Sequence, residues 1–226
     1  MFFDPSYIVL VLIPTLLLSL GAQLFVRSAY NRWGQTRNSS GLTGVQVAER
    51  IFGRTNVNSL RLEQAPGELT DHYDPGSHVV RLSEGIATRP SVASMAVVAH
   101  ELGHVQQHQE NSALIQMRTF LVPAVRFSPT IGYFMIILGL LLNATGLFWA
   151  GILLFGLMVV FMILTLPVEI DASLRGLRLL RESDLLVAET DTSGSRQILT
   201  AAAITYFAAA ITAVLQLLYF ISLSRR

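Results

Sequence analysis

The chain has no cysteine, which removes disulfides and thiolate ligands. Any metal site must therefore be built from His, Asp and Glu. It has no lysine either; all 16 basic residues are arginine. With a net charge of +1 and no basic stripe, a nucleic-acid partner is excluded. Charge of either sign is scarce. Only 14% of the 226 residues are charged and 52% are hydrophobic, too apolar for an ordinary soluble domain. Histidine is scarce and concentrated: all five lie between His72 and His108.

Long apolar runs stand in place of charge. Residues 7–26 are long enough to span a bilayer, with Pro14 inside. A cleaved signal peptide would carry a basic residue ahead of the run, whereas Asp4 stands there, so a retained anchor is expected. Arg27, Arg32 and Arg37 follow it, which puts the next region on the cytoplasmic side. Residues 127–166 are almost wholly apolar, broken only at Asn143-Ala144-Thr145-Gly146. They predict two spans, 127–142 and 147–166, in a hairpin region 119–166. Arg118 and Arg126 lie at its cytoplasmic end. A last span is predicted over 199–223, where Gln216 can face another helix.

Between anchor and hairpin lies His100-Glu101-Leu102-Gly103-His104, within a predicted helix 91–109. Residues four apart share a helix face, so both imidazoles can reach one zinc ion. Glu101 follows the first of them and can take a proton from water at the metal. The small apolar residues Ala96, Val97, Val98 and Ala99 place this helix in a core, where imidazoles and a carboxylate need an ion to satisfy them. His108 lies about 12 Å of helix rise beyond His100, too far for the same ion. No glycine turns the chain between His104 and His108, so His108 is left out of the ligand set.

The remainder of region 27–118 reads as α+β. A helix cap at Thr43 precedes a helix over 44–52. Short strands are predicted at 57–64, 69–73 and 78–82, the last two joined by the turn Asp74-Pro75-Gly76-Ser77. The strand 78–82 is either an edge that pairs with substrate or an ordinary strand of the sheet. His72 and Tyr73, at a strand end, are candidates to donate to an oxyanion. A surface pair without a chemical task is the simpler alternative.

Two spans return a chain to the side it left. Residues after 166 therefore emerge beside the HExxH helix, in a region 167–198 marked cytoplasmic by Arg175, Arg178 and Arg181. Glu169 is the first acid after Glu110 and is the expected third ligand. Asp171 is the alternative, or it holds a ligand imidazole. Asp191-Thr192-Ser193-Gly194-Ser195 reads as a loop.

Taken together, Asp71-His72-Tyr73-Asp74-Pro75, Leu82-Ser83, the run from His100 to Gln107, and Leu166-Pro167-Val168-Glu169-Ile170-Asp171-Ala172-Ser173 resemble the YugP-type neutral zinc metallopeptidases of bacterial membranes. The resemblance covers nearly the whole chain. It implies a multi-pass protein of the bacterial inner membrane that binds Zn2+ through His100 and His104, with Glu101 as the acid/base. Glu169 matches the acid of the third motif. Gly176 departs from the pattern, where alanine is expected.

The expected architecture is an α-helical integral membrane protein of about four transmembrane helices with a small zincin-like α+β catalytic domain. The expected partners are a protein or peptide substrate and the lipid bilayer, with room for a homo-oligomer or a regulatory membrane partner. A non-proteolytic scaffold or chaperone-like adaptor with structural zinc is the competing reading. A structural site would be closed by four protein ligands, and only three present themselves here.

Overall fold

The computed structural model describes residues 4–224. In chain order its elements are helix α1 (Pro5–Gln35), with a π-helical turn at Ile8–Leu12, α2 (Gly44–Arg54), strands β1 (Arg61–Ala65), β2 (His72–Asp74) and β3 (Val79–Ser83), then α3 (Glu84–Thr88), α4 (Val92–Gln109), α5 (Ala113–Val125), α6 (Ser128–Leu141), α7 (Thr145–Glu182) and α8 (Glu189–Leu223). The chain divides into two compact units. One comprises Leu24–Ile115 and Val168–Ala203. The other comprises Gln116–Pro167 with the described residues before Leu24 and after Ala203.

The first of these units holds the α+β structure. Thr43 caps α2 through a reciprocal pair of bonds. Its Oγ1 accepts from Gln46 N–H, and the Gln46 side chain accepts from Thr43 N–H. Three strands lie in the order β1-β3-β2, with β1 parallel and β2 antiparallel to β3. Asp74 shapes the β2–β3 turn: Oδ1 accepts from Gly76 N–H at 2.9 Å and Oδ2 from Ser77 Oγ at 2.7 Å.

The predicted strands need three corrections. Residues 57–60 lie ahead of β1 rather than in it, and residues 69–71 lie ahead of β2. The strand expected as a candidate edge is central: Val79, Val80 and Leu82 are buried on both faces of β3, and β1 and β2 form the edges. A strand covered on both faces loses the apolar–polar alternation by which an edge is usually read.

Helix α4 starts at Ser91, whose Oγ accepts from Ser94 N–H at 3.0 Å. Its Met95, Val98, Ala99 and Leu102 pack with Val80, Leu82, Leu179 and Leu180 into one core. The loop predicted at 191–195 is instead the start of α8. Asp191 accepts from Ala188 N–H and Ser39 N–H, both at 3.1 Å. A Cβ on Gly194 would fall 2.6 Å from Trp33 and Val92. Tertiary packing thus overrides the loop preference of a Ser/Thr/Gly stretch.

The second unit is helical. Val11, Ile136, Phe148, Ile152, Phe155 and Phe220 form its core, while Leu17, Phe134, Leu141 and Leu153 are exposed. An exposed apolar belt of this kind suits lipid rather than water. Three helices among the described residues, α1, α7 and α8, are long and apolar enough to cross a membrane. The count is four if α5 and α6, bent by 47° at their junction, make one span. The predicted break after residue 166 is absent, and α7 runs unbroken through Pro167 to Glu182. Proline removes one ladder bond, but the buried Val168 and Ala172 hold the helix in phase beyond it.

Candidate metal centre

Three side chains converge within the α+β unit. On α4, four residues put His100 and His104 on one face, with their rings 4.8 Å apart. On α7, Glu169 turns its carboxylate toward them. Its Oε2 lies 3.3 Å from His100 Nε2 and 3.5 Å from His104 Nε2. Glu169 is 2% exposed.

Two glycines make this approach feasible. A Cβ on Gly103 would land on the Ala172 carbonyl of α7. A Cβ on Gly176 would lie 2.8 Å from the Ala99 carbonyl of α4. The departure from alanine at position 176 thus falls at one of the two places where the absent side chains let backbone meet backbone.

This donor set fits zinc. Ligands about 2.0–2.1 Å from a tetrahedral zinc ion lie about 3.3–3.4 Å from one another. The two Nε2–Oε2 separations, 3.3 and 3.5 Å, are close to that edge length, and one ligand atom from each of His100, His104 and Glu169 falls within 4.8 Å of the others. Among the described residues three nitrogen and oxygen donors form the group, the number that a catalytic rather than a structural zinc site takes from the protein. Burial works to lower the His104 pKa, but the hydrogen bond to Glu169, the charges of Glu101 and Glu169 and the contact with Gln107 together outweigh it, and the pKa is raised. The cluster therefore attracts positive charge.

Further contacts surround the three side chains. His104 Nδ1 lies 2.9 Å from Gln107 Oε1. Gln107 Nε2 donates to Val168 O and to Asp171 Oδ2, both at 2.8 Å. Asp171 Oδ2 also accepts from Arg175 Nε at 2.7 Å, and Arg175 Nη1 donates to Glu110 Oε2 at 2.6 Å. His100 Nδ1 lies 3.2 Å from Ser173 Oγ. Asp171 thus stands one residue removed from an imidazole, through Gln107. The sequence reading missed Gln107 and Ser173, although their spacing from His104 and Glu169, three and four residues along a helix, places each on its neighbour's face.

Glu101 is 7% exposed, and its Oε2 accepts from Tyr73 N–H of edge strand β2 at 2.9 Å. Asp71, just before β2, accepts from Ser83 N–H at 2.7 Å and from Ser83 Oγ at 3.0 Å, anchoring β2 to the end of β3. Burial pushes the Asp71 carboxyl up, against those two bonds.

The remaining histidines sit apart from the ligand group. His72 is exposed, with Nδ1 2.8 Å from Thr70 O and Nε2 3.5 Å from Arg81 Nη1. These contacts engage both ring nitrogens of the expected oxyanion donor. His78 Nδ1 lies 3.4 Å from Tyr73 Oη. The His108 ring meets the Tyr73 ring edge-on at 5.3 Å.

The family described as "Putative neutral zinc metallopeptidase" matches residues 8–225. This chain belongs to that family. It is 37% identical over 204 residues to "Putative membrane protease YugP" of Bacillus subtilis (strain 168), covering 90% of each chain. No solved structure matches it. The family is one of zinc peptidases, and the group formed by His100, His104 and Glu169 is where this member could hold the ion.

Proposed function

We propose that this protein is a zinc metalloendopeptidase embedded in the bacterial inner membrane. It would cut membrane-associated or misfolded proteins, with its site on the cytoplasmic side. One observation carries the reading: two imidazoles and a buried carboxylate, delivered by two helices, meet at the spacing of zinc ligands. His100, His104 and Glu169 would hold the metal. When bound, zinc acidifies a water molecule toward neutral pH and polarises the scissile carbonyl.

The chain's own residues do the rest. Glu101 takes a proton from water and passes it to the leaving amine. The Tyr73 N–H holds one carboxylate oxygen of Glu101, which fixes the orientation of the base and leaves Oε1 for the proton. The same bond ties the base to edge strand β2. Cytoplasmic placement is supported by the arginines at 27, 32, 37, 175, 178 and 181.

Glu101→Gln tests the assignment. The variant should keep zinc and lose peptide hydrolysis by about 10²-fold or more. Membrane proteomes of cells carrying wild type or Glu101→Gln should differ in specific truncated proteins. An unchanged cleavage rate on any substrate so found rejects Glu101 as the base.

A further inference from the structure

Gln107 is wholly buried, and its amide faces three partners. Two are oxygens, Val168 O and Asp171 Oδ2, each 2.8 Å from Nε2. Val168 O is a carbonyl and can only accept, and Asp171 Oδ2 already accepts from Arg175 Nε at 2.7 Å. Flipping the Gln107 amide would set its carbonyl against two acceptors, so its NH2 group must face them. Its oxygen then faces His104 Nδ1 at 2.9 Å, and a carbonyl oxygen can only accept. His104 must carry its proton on Nδ1. Nε2, 3.5 Å from Glu169 Oε2, is then the nitrogen whose lone pair is left for a bound metal ion.

His100 is held differently. Its Nδ1 faces Ser173 Oγ at 3.2 Å, and a hydroxyl can donate or accept. Ser173 therefore permits either tautomer. Gln107 has a second consequence: Val168, whose carbonyl it binds, directly precedes Glu169 in α7. One side chain thus touches both the imidazole on α4 and the backbone that carries the carboxylate.

We propose that Gln107 is a positioning residue of the metal centre, which locks His104 in the Nδ1–H tautomer and sets α7 so that Glu169 meets the same ion. This rests on the zinc reading given above. It assigns to a neutral glutamine, donating to Asp171, the orienting role that a carboxylate more often takes directly.

The test uses full-length protein in detergent micelles. Imidazole 15N shifts of the zinc-loaded wild type should show His104 protonated at Nδ1; protonation at Nε2 with Nδ1 bare overturns the proposal without any substitution. Gln107→Met keeps the volume and removes every bond. Zinc affinity, measured by chelator competition, should fall about 10–100-fold. Ser173→Ala should change it by less.

The double variant Gln107→Glu with Asp171→Asn restores an acceptor to His104 and reverses the donor and acceptor toward position 171, but cannot donate to Val168 O. It should recover most of the lost affinity. If it stays as weak as Gln107→Met, the amide is only a bridge between helices and the tautomer role is wrong. Wild-type affinity in Gln107→Met overturns the proposal outright. A wild type that binds no zinc overturns the metal reading itself, and this inference with it.

Discussion

Glu169 and Glu101 are both buried carboxylates beside the same imidazoles, yet their neighbours give them different tasks. Glu169 meets two imidazole nitrogens, which suits a ligand; Glu101 meets a backbone N–H of β2, which suits an oriented base. Glu169→Ala should therefore lower zinc content after dialysis to a small fraction of wild type, and full occupancy would remove it from the ligand set. Acid should act through the same groups. The raised pKa of His104 means that its protonated form is stabilised in the metal-free site. Protons should begin to displace zinc above the usual imidazole value of about 6.5 and do so increasingly as pH falls. Zinc affinity read between about pH 8 and about pH 5.5 should decrease steadily, with protons released on binding. A flat profile would exclude imidazole ligation.

The pairing of α4 with α7 decides whether the three ligands meet. At Gly103 and Gly176 they meet backbone to backbone, because neither glycine puts a side chain between them. Gly103→Ala gains helix propensity of about 1 kcal/mol. Its methyl group would meet the Ala172 carbonyl, and overpacking of this kind typically costs about 1–3 kcal/mol. The variant should melt at a lower temperature without metal and bind zinc more weakly, since Glu169 lies one turn from Ala172. Unchanged melting and affinity would mean that the helices part freely. Edge strand β2 depends on a similar local device, in which Asp71 grips Ser83 and holds the strand whose Tyr73 N–H meets Glu101.

Over the molecule as a whole, an apolar helical unit and a unit bearing the candidate metal centre share helices α1, α5, α7 and α8. With four spans and the orientation that the arginines favour, Ser59 would lie in the cytoplasm and Thr145 outside. The absence of native cysteine makes this simple to measure. Both residues are exposed. In intact cells a membrane-impermeant maleimide should label Thr145→Cys and leave Ser59→Cys unlabelled until the membrane is opened. The reverse pattern would invert the topology.

Elements with a local cause could be read from the order of residues alone. The spacing of His100 and His104, the cap at Thr43, the turn at Asp74 and the apolar runs are each written within a few residues, because helix period, capping and hydropathy act over that distance. Glu169 was legible as well, since it is the first acid after a long uncharged stretch. Features that depend on distant partners were set by the packing of the folded chain. It put β3 at the centre of the sheet, since burial on both faces erased the alternation by which an edge is read. It continued α7 through Pro167 and began α8 at Glu189, since packing outweighed residue preference. It also brought Gln107 between His104 and Asp171, residues 107 and 171 lying 64 apart in the chain, a contact that arises only when two glycines let the helices touch backbone to backbone.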